Sequence, residues 1–399
     1  MQLYNTLTKR QEPFVPLGEP VRMYVCGITP YATTHLGHAR TYVFFDLLHR
    51  YLRHLGHDVR YVQNITDVDE PLFRRAEELG VSYVALAAEN VATYVADMAA
   101  LNVLPPAHYV PASAEIPEMI RVIGGLIDRG HAYQRGGAVF FRVASDPRYG
   151  VLGGLSRAEM ATRSAEHGND LADPHKEQPL DFVLWQPSAP GQPSWPSPWG
   201  PGRPGWHIEC STIVLQHLGA QIDIHGGGDD LIYPHHEDEI AQSEGFTGIR
   251  PFARYWLHAG MVRLGGIKMS KSLGNLVMVH DLLRQYSPDA LRFYLLGYAY
   301  REAFDYQPEQ LSKAEVALRR LREAATLGPA DLGAALDPSP FRAQFLAALD
   351  DNLNTPAART TLVALGEAIA QASAGGRDVR AAQASLRELA ALLGLAAVA

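Results

Sequence analysis

Three groups of residues in this 399-residue sequence have the types and spacing for chemistry. His35-Leu36-Gly37-His38 sets two imidazoles three residues apart around a glycine. Where a strand gives way to a helix, such a segment offers backbone N–H groups and ring donors to an anion, and Gly37 admits close approach of a nucleotide. The same pattern also reads as plain helix-start histidines. Lys268-Met269-Ser270-Lys271-Ser272 follows the turn Gly265-Gly266. Two lysines with hydroxyls between them suit a loop that neutralises a pyrophosphate leaving group, although a solvated charged loop has the same composition. The third group is Cys26, Cys210, His235 and Glu239. The last two stand at i and i+4 on one expected helix and share its face. Two thiolates, an imidazole and a carboxylate suit Zn²⁺. There is no Cys-x-x-Cys, so spacing alone leaves two unrelated buried cysteines equally open.

The elements that must carry these groups alternate. Residues 21–31 are an apolar run ending in a turn, and the segment after His35 has helical spacing, with Ala39, Tyr42, Val43, Leu47, Leu48 and Tyr51 on one stripe. His57–Ile65 is β-branched and aromatic, which predicts a second strand, and 71–101 is expected to be helical. Strand, helix, strand, helix predicts a doubly wound parallel sheet. Texture changes from about 105 to 200: a helix over 114–129, a short strand after Gly136-Gly137, then 187–206, dense in Pro, Gly and Trp. That run excludes helix and central strand. Trp195, Trp199 and Trp206 need burial, which argues for an ordered insertion rather than a linker. The α/β pattern resumes over 205–300 with a strand at Ile222–Ile224 running into Gly226-Gly227-Gly228 and a helix over 234–246. Residues 307–399 read as a helical bundle with a break near 328–340.

The bulk properties exclude some classes. No stretch approaches about 18 uninterrupted apolar residues, so no membrane span is expected. The N-terminus lacks the apolar core of a leader, so a cytoplasmic enzyme with reduced thiols is expected and a disulfide is not. The formal net charge of −8 gives no support for broad electrostatic capture of nucleic acid. DNA is not expected as a partner, while a local basic groove for RNA stays compatible.

Together, His35-Leu-Gly-His38 and Lys268–Ser272, in this order and about 230 residues apart, resemble the signature pair of class I aminoacyl-tRNA synthetases. The runs 24–31 (YVCGITPY), 61–70 (YVQNITDVDE), 194–211 (SWPSPWGPGRPGWHIECS) and 223–244 (DIHGGGDDLIYPHHEDEIAQSE) resemble the cysteinyl-tRNA synthetase family. The likeness covers about 1–310, and more loosely extends to 350–356 (DDNLNTP). It implies a Rossmann-like parallel sheet of the class I (HUP) type. The halves of the catalytic domain would be 1–110 and 201–306, the latter with the KMSKS loop, around a connective insertion at 111–200 and ahead of a bundle at 307–399. It implies one Zn²⁺ on Cys26, Cys210, His235 and Glu239, gripping the substrate thiol and rejecting serine. It places cysteine against Thr66 and Trp206, and Mg·ATP against Gly37, Gly226, Gly227, Gly228, Asp230, Ser270 and Ser272. It makes His35, His38, Lys268 and Lys271 the donors that stabilise charge as the cysteine carboxylate attacks the α-phosphorus. His236 and His258 are left as structural histidines.

The acceptor has three readings. The sequence stops about where the family's small anticodon-recognising domain would start, so that domain is not expected. A shorter branch, the mycothiol cysteine ligases, passes cysteine to the amine of glucosaminyl-inositol. The phrases GITPY, QNITDVDEPLFRRAE, DMAALNVLPPAHYV and GNLVMV resemble that branch, whereas Arg40, Glu239 and HEDEIAQSE resemble the synthetases. An amino-sugar acceptor is therefore placed first and tRNA second. A paralogue that binds nucleotide or RNA without catalysis comes last, because both signatures and all four zinc-ligand residues are intact.

Overall fold

The computed structural model describes residues 1–269, 274–328 and 334–399. Its centre is a five-stranded sheet of β1 (Val21–Ile28), β2 (Val59–Ile65), β3 (His108–Pro111), β4 (Ile222–Gly228) and β5 (Ala253–Ala259), in the order β5-β4-β1-β2-β3. Every neighbouring pair is parallel. The chain winds outward from β1 to β3, makes the insertion, and restarts on the other side of β1 at β4. That reversal opens a crevice at the carboxyl ends of β1 and β4, where open α/β sheets bind ligands. β1 is buried on both faces, as a central parallel strand must be.

Helix α1 (Leu36–His54) crosses from β1 to β2 and buries the expected stripe, Ala39 to Tyr51, against the sheet. The stretch 71–101 is two helices, Glu70–Leu79 and Tyr83–Ala100, bent by 104°. Gly80 ends the first at φ 66°, a left-handed cap that needs no Cβ. No single described helix is long and apolar enough to cross a membrane.

Residues 111–206 carry their own layer: a helix at Ile116–Asp128 and a four-stranded antiparallel sheet of Ala132–Arg135, Ala138–Phe141, Phe182–Gln186 and Arg203–Pro204. Met119, Val122, Val139, Phe141 and Leu184 form its core. The Pro/Gly/Trp run is ordered: Trp195 and Gly202 exchange both backbone hydrogen bonds (2.7 and 3.0 Å), and Trp199 meets the Trp185 ring at 6.1 Å. A helix at Arg157–Glu166, which the apolar pattern does not announce, begins with a Ser156/Glu159 capping box.

Helix α2 (Trp206–His217) leads into β4, and α3 (Glu237–Thr247) follows it. The expected helix over 234–246 starts late, because Tyr233 takes φ −143° and Ile232–His236 forms a separate wide turn. The C-terminal helices, Pro308–Thr326, Ser339–Asp350, Thr355–Ala374 and Arg380–Leu392, share one continuous apolar core with α1 and the sheet. Buried Arg292 ties them together: it pairs with Asp46 on α1 and donates to the carbonyls of Leu101 (3.0 Å) and Leu393 (2.5 Å).

Candidate active site and metal cluster

A cleft of about 790 Å³ lies at the carboxyl ends of β1 and β4, lined among others by Cys26, His35, His38, Trp206, Asp230 and Lys268. His35 is the N-cap of α1, and its Nδ1 accepts from the Gly37 N–H at 3.1 Å. An accepting Nδ1 leaves the proton of the neutral ring on Nε2. The His35 and His38 rings stack at 3.8 Å. A Cβ on Gly37 would stand 2.9 Å from the His35 ring, so this glycine is required by the ring that caps the helix as well as by the cleft it lines.

The two signatures are joined through the backbone. Leu36 donates to the Val277 carbonyl (2.9 Å) and Val279 to that of Thr34 (3.0 Å), so the segment following Lys268–Ser272 is stitched to the start of α1. Lys268 pairs with Asp230 at 3.0 Å on the cleft wall. Ser270, Lys271 and Ser272 lie outside the described residues. Of the triple glycine only Gly228 lines the cleft. A Cβ on Gly226 would stand 2.1 Å from the Phe45 ring, and one on Gly227 2.9 Å from Leu231 and 3.1 Å from His236. Those two glycines serve close packing of β4. Burial pushes Asp229 and Asp69 up to about 6.

Beneath the floor of the cleft lies a cluster of ligating side chains, of which only Cys26 reaches the cleft lining. Cys26 ends β1 and is 5% exposed; Cys210 on α2, His235 in the wide turn and Glu239 on α3 are fully enclosed. Their donor atoms all lie within 4.8 Å of one another, so the four could hold a metal ion. The edges are Cys26 Sγ–Cys210 Sγ 3.8 Å, Cys26 Sγ–Glu239 Oε1 3.6 Å, Cys210 Sγ–His235 Nε2 3.4 Å and His235 Nε2–Glu239 Oε1 3.2 Å. Tetrahedral zinc with ordinary bond lengths has edges of about 3.8 Å between sulfurs, 3.6 Å from sulfur to nitrogen or oxygen, and 3.4 Å from nitrogen to oxygen. The donor set and its size therefore fit zinc. A second foursome shares Cys26 and Glu239 but uses His225 and His236. There His225 Nε2 meets Glu239 Oε2 at 2.8 Å, a hydrogen bond rather than a ligand edge, which leaves Oε1 for the cluster.

The imidazole of His235 is oriented from behind. Its Nδ1 meets His207 Nδ1 at 2.9 Å, His207 Nε2 lies 3.3 Å from Asp238, and Asp238 accepts from the Tyr149 hydroxyl at 2.5 Å. A proton on His235 Nδ1, donated to His207 Nδ1, would leave Nε2 with a lone pair toward the cluster. Trp206 stacks on the His235 ring at 4.3 Å. Burial pushes both thiols up and His235 well down, so without a cation the thiols keep their protons and the imidazole is neutral.

Thr66 is buried behind the floor, where Asn64 Nδ2 donates to its hydroxyl at 2.9 Å, and it does not line the cleft. The sequence reading misses His207, His225 and Asp238, although two of the three stand next to singled-out residues: His207 beside Trp206 and His225 beside Gly226. It also leaves His236 without a role, whereas its Nε2 lies 3.3 Å from Cys26 Sγ and its Nδ1 2.8 Å from His258.

Residues 14–316 match the family described as tRNA synthetases class I (C) catalytic domain. A cysteine–tRNA ligase of Dehalococcoides mccartyi is 45% identical over 402 residues, covering 100% of this chain and 87% of that protein. One of Methylococcus capsulatus is 48% identical, covering 99% of this chain and 85% of that protein. Among solved structures, Mycobacterium tuberculosis methionyl-tRNA synthetase with methionyl-adenylate superposes with a TM-score of 0.66 at 16% identity, over 94% of this chain and 90% of that one. Agrobacterium radiobacter leucyl-tRNA synthetase gives 0.67 at 11%, over 96% and 85%; both likenesses concern the fold. The relatives are named for tRNA as acceptor, which reverses the order of acceptors expected from the short phrases: the amino sugar and mycothiol synthesis find no support among them. The sheet order, the cleft at the switch point and these matches together place the chain in the class I cysteinyl-tRNA synthetase family.

Proposed function

We propose that this protein activates L-cysteine with Mg·ATP and passes the cysteinyl group to tRNA(Cys). The observation that carries the reading is a soft-metal donor set, Cys26, Cys210, His235 and Glu239, which meets through Cys26 the cleft lined by His35, His38 and Lys268. When bound there, zinc supplies a position that prefers a thiolate sulfur to a serine hydroxyl. Trp206 closes one side of that position by its stack on His235.

The reaction needs no covalent enzyme intermediate. A cysteine carboxylate oxygen forms the bond to the α-phosphorus, and the bond from that phosphorus to the departing pyrophosphate breaks. His35 and His38 serve the phosphate oxygens at the head of α1, while Lys268 and Lys271 neutralise the charge that builds on the leaving group. Gly228 and Asp230 serve the nucleoside, and Ser270 and Ser272 its phosphates. A terminal ribose hydroxyl of the tRNA then attacks the carbonyl and releases AMP.

The acceptor is tRNA in this reading because the relatives that match 99–100% of this chain carry that name. The test gives purified protein ATP, labelled cysteine and, in parallel, tRNA(Cys) or glucosaminyl-inositol. Acid-precipitable cysteinyl-tRNA is expected. Cysteine-dependent pyrophosphate exchange with product on the amino sugar alone would overturn the acceptor, and no exchange at all would overturn activation.

A further inference from the structure

The ladder between β1 and β2 is interrupted at the point that delivers Cys26. Val25 pairs with Gln63 and Ile28 with Ile65, so Cys26 and Gly27 together face the single residue Asn64. A bulge of this kind re-aims a side chain and leaves a backbone N–H outside the ladder. That N–H belongs to Gly27, and it donates to the side-chain oxygen of Asn64 at 2.7 Å. The Tyr24 hydroxyl donates to the same oxygen at 2.9 Å, and the Asn64 amide nitrogen donates to Thr66 at 2.9 Å. Because the Gly27 N–H can only donate, the amide orientation is fixed by its partners. Asn64 is 2% exposed, so each of these bonds is made away from water. A Cβ on Gly27 would stand 1.7 Å from the Asn64 carbonyl oxygen, so the close approach admits only glycine. The Tyr42 hydroxyl, on α1, grips the Cys26 carbonyl from the other side at 3.1 Å.

We propose that Asn64 is a positioning residue for the metal cluster: its side chain staples the bulge that aims the Cys26 thiol at Cys210 and Glu239, and Thr66 serves by orienting that amide. The proposal rests on the metal reading above. Cys26 is the ligand nearest the cleft, so its aim sets how firmly the cluster closes and where an incoming sulfur sits. Losing a partner that orients a ligand costs about 10- to 100-fold in metal affinity.

The experiment compares the full chain with Asn64→Ala and Asn64→Asp. Zinc transfer to a chromophoric chelator is timed, and the cobalt-substituted proteins are examined for thiolate-to-metal charge transfer. For Asn64→Ala, transfer about 10- to 100-fold faster and weakened charge transfer are expected, with ATP affinity held within about twofold. Asn64→Asp keeps an acceptor for the Gly27 N–H and should recover most of both signals. A folded Asn64→Ala protein with the parent's transfer rate and spectrum overturns the proposal, as does an Asp variant no better than Ala. Where Asn64→Ala does not fold, Thr66→Val removes the hydroxyl that orients the Asn64 amide; faster transfer supports the role and an unchanged rate refutes it. A wild-type chain that holds zinc yet shows no cysteine-dependent exchange sinks the proposed function and leaves the staple standing. A wild-type chain that takes up no metal sinks the staple.

Discussion

Metal uptake should expel two protons, and the structure says which two. Cys26 and Cys210 are both buried, and burial raises both thiols above their ordinary range, with Cys210 adding to the cost of ionising Cys26. In the metal-free fold both therefore keep their protons between about pH 6 and 8. His235 is pushed well below its usual value by the same burial, so it is already neutral and gives up nothing. A cation that binds thiolates must compete with the two protons, and raising the pH helps the cation. The apparent association constant should rise about 100-fold per pH unit, equivalent to about 2.7 kcal/mol. Chelator competition across that range measures the slope, and calorimetry in buffers of different protonation enthalpy counts the protons directly. Cys210→Ser should cut the slope to about tenfold per unit while weakening binding at every pH. A slope near zero in the wild type would mean that the thiols are not ligands, or are already ionised in the fold, and either result refutes the reasoning.

Cys210→Ser should also lower bound zinc below one per chain and erode discrimination against serine towards the ~10- to 200-fold that a shaped pocket alone provides; unchanged metal content and selectivity would remove Cys210 from the site. Lys268→Ala, which removes the charge now paired with Asp230, should slow pyrophosphate exchange by about 10²- to 10³-fold while the KM for cysteine stays within about twofold; a rise in KM alone would argue against a role at the leaving group. Arg292→Met leaves the buried Asp46 carboxylate to Arg50 and Leu104 alone and unpartners the carbonyls of Leu101 and Leu393, so urea unfolding should show a loss of about 1–3 kcal/mol; a change under about 0.5 kcal/mol would mean that this junction does not hold the bundle to the sheet.

The central sheet was legible from local pattern because a parallel strand buried on both faces has few compositional options. β1 and β2 are dense in apolar and aromatic residues, and α1 repeats its apolar stripe at helical spacing. The bend at Gly80 follows from one left-handed glycine whose cap geometry the apolar period does not report. The insertion's strands were harder to read. Phe182–Gln186 pairs with Ala138–Phe141, more than 40 residues earlier, and nothing local signals so distant a partner.

By itself the sequence determined the reactive groups, their order along the chain and the family to which they belong, since residue type and spacing are covalent facts. It could not determine which glycines line the cleft: Gly226 and Gly227 are consumed by Phe45, Leu231 and His236, while Gly228 lines it. Through the family resemblance it named one set of metal donors, but it gave no sign of the second foursome, with His225 and His236, that the fold brings beside it. Cys26 and Cys210 are separated by 184 residues, and only the winding of the sheet brings their sulfurs to 3.8 Å.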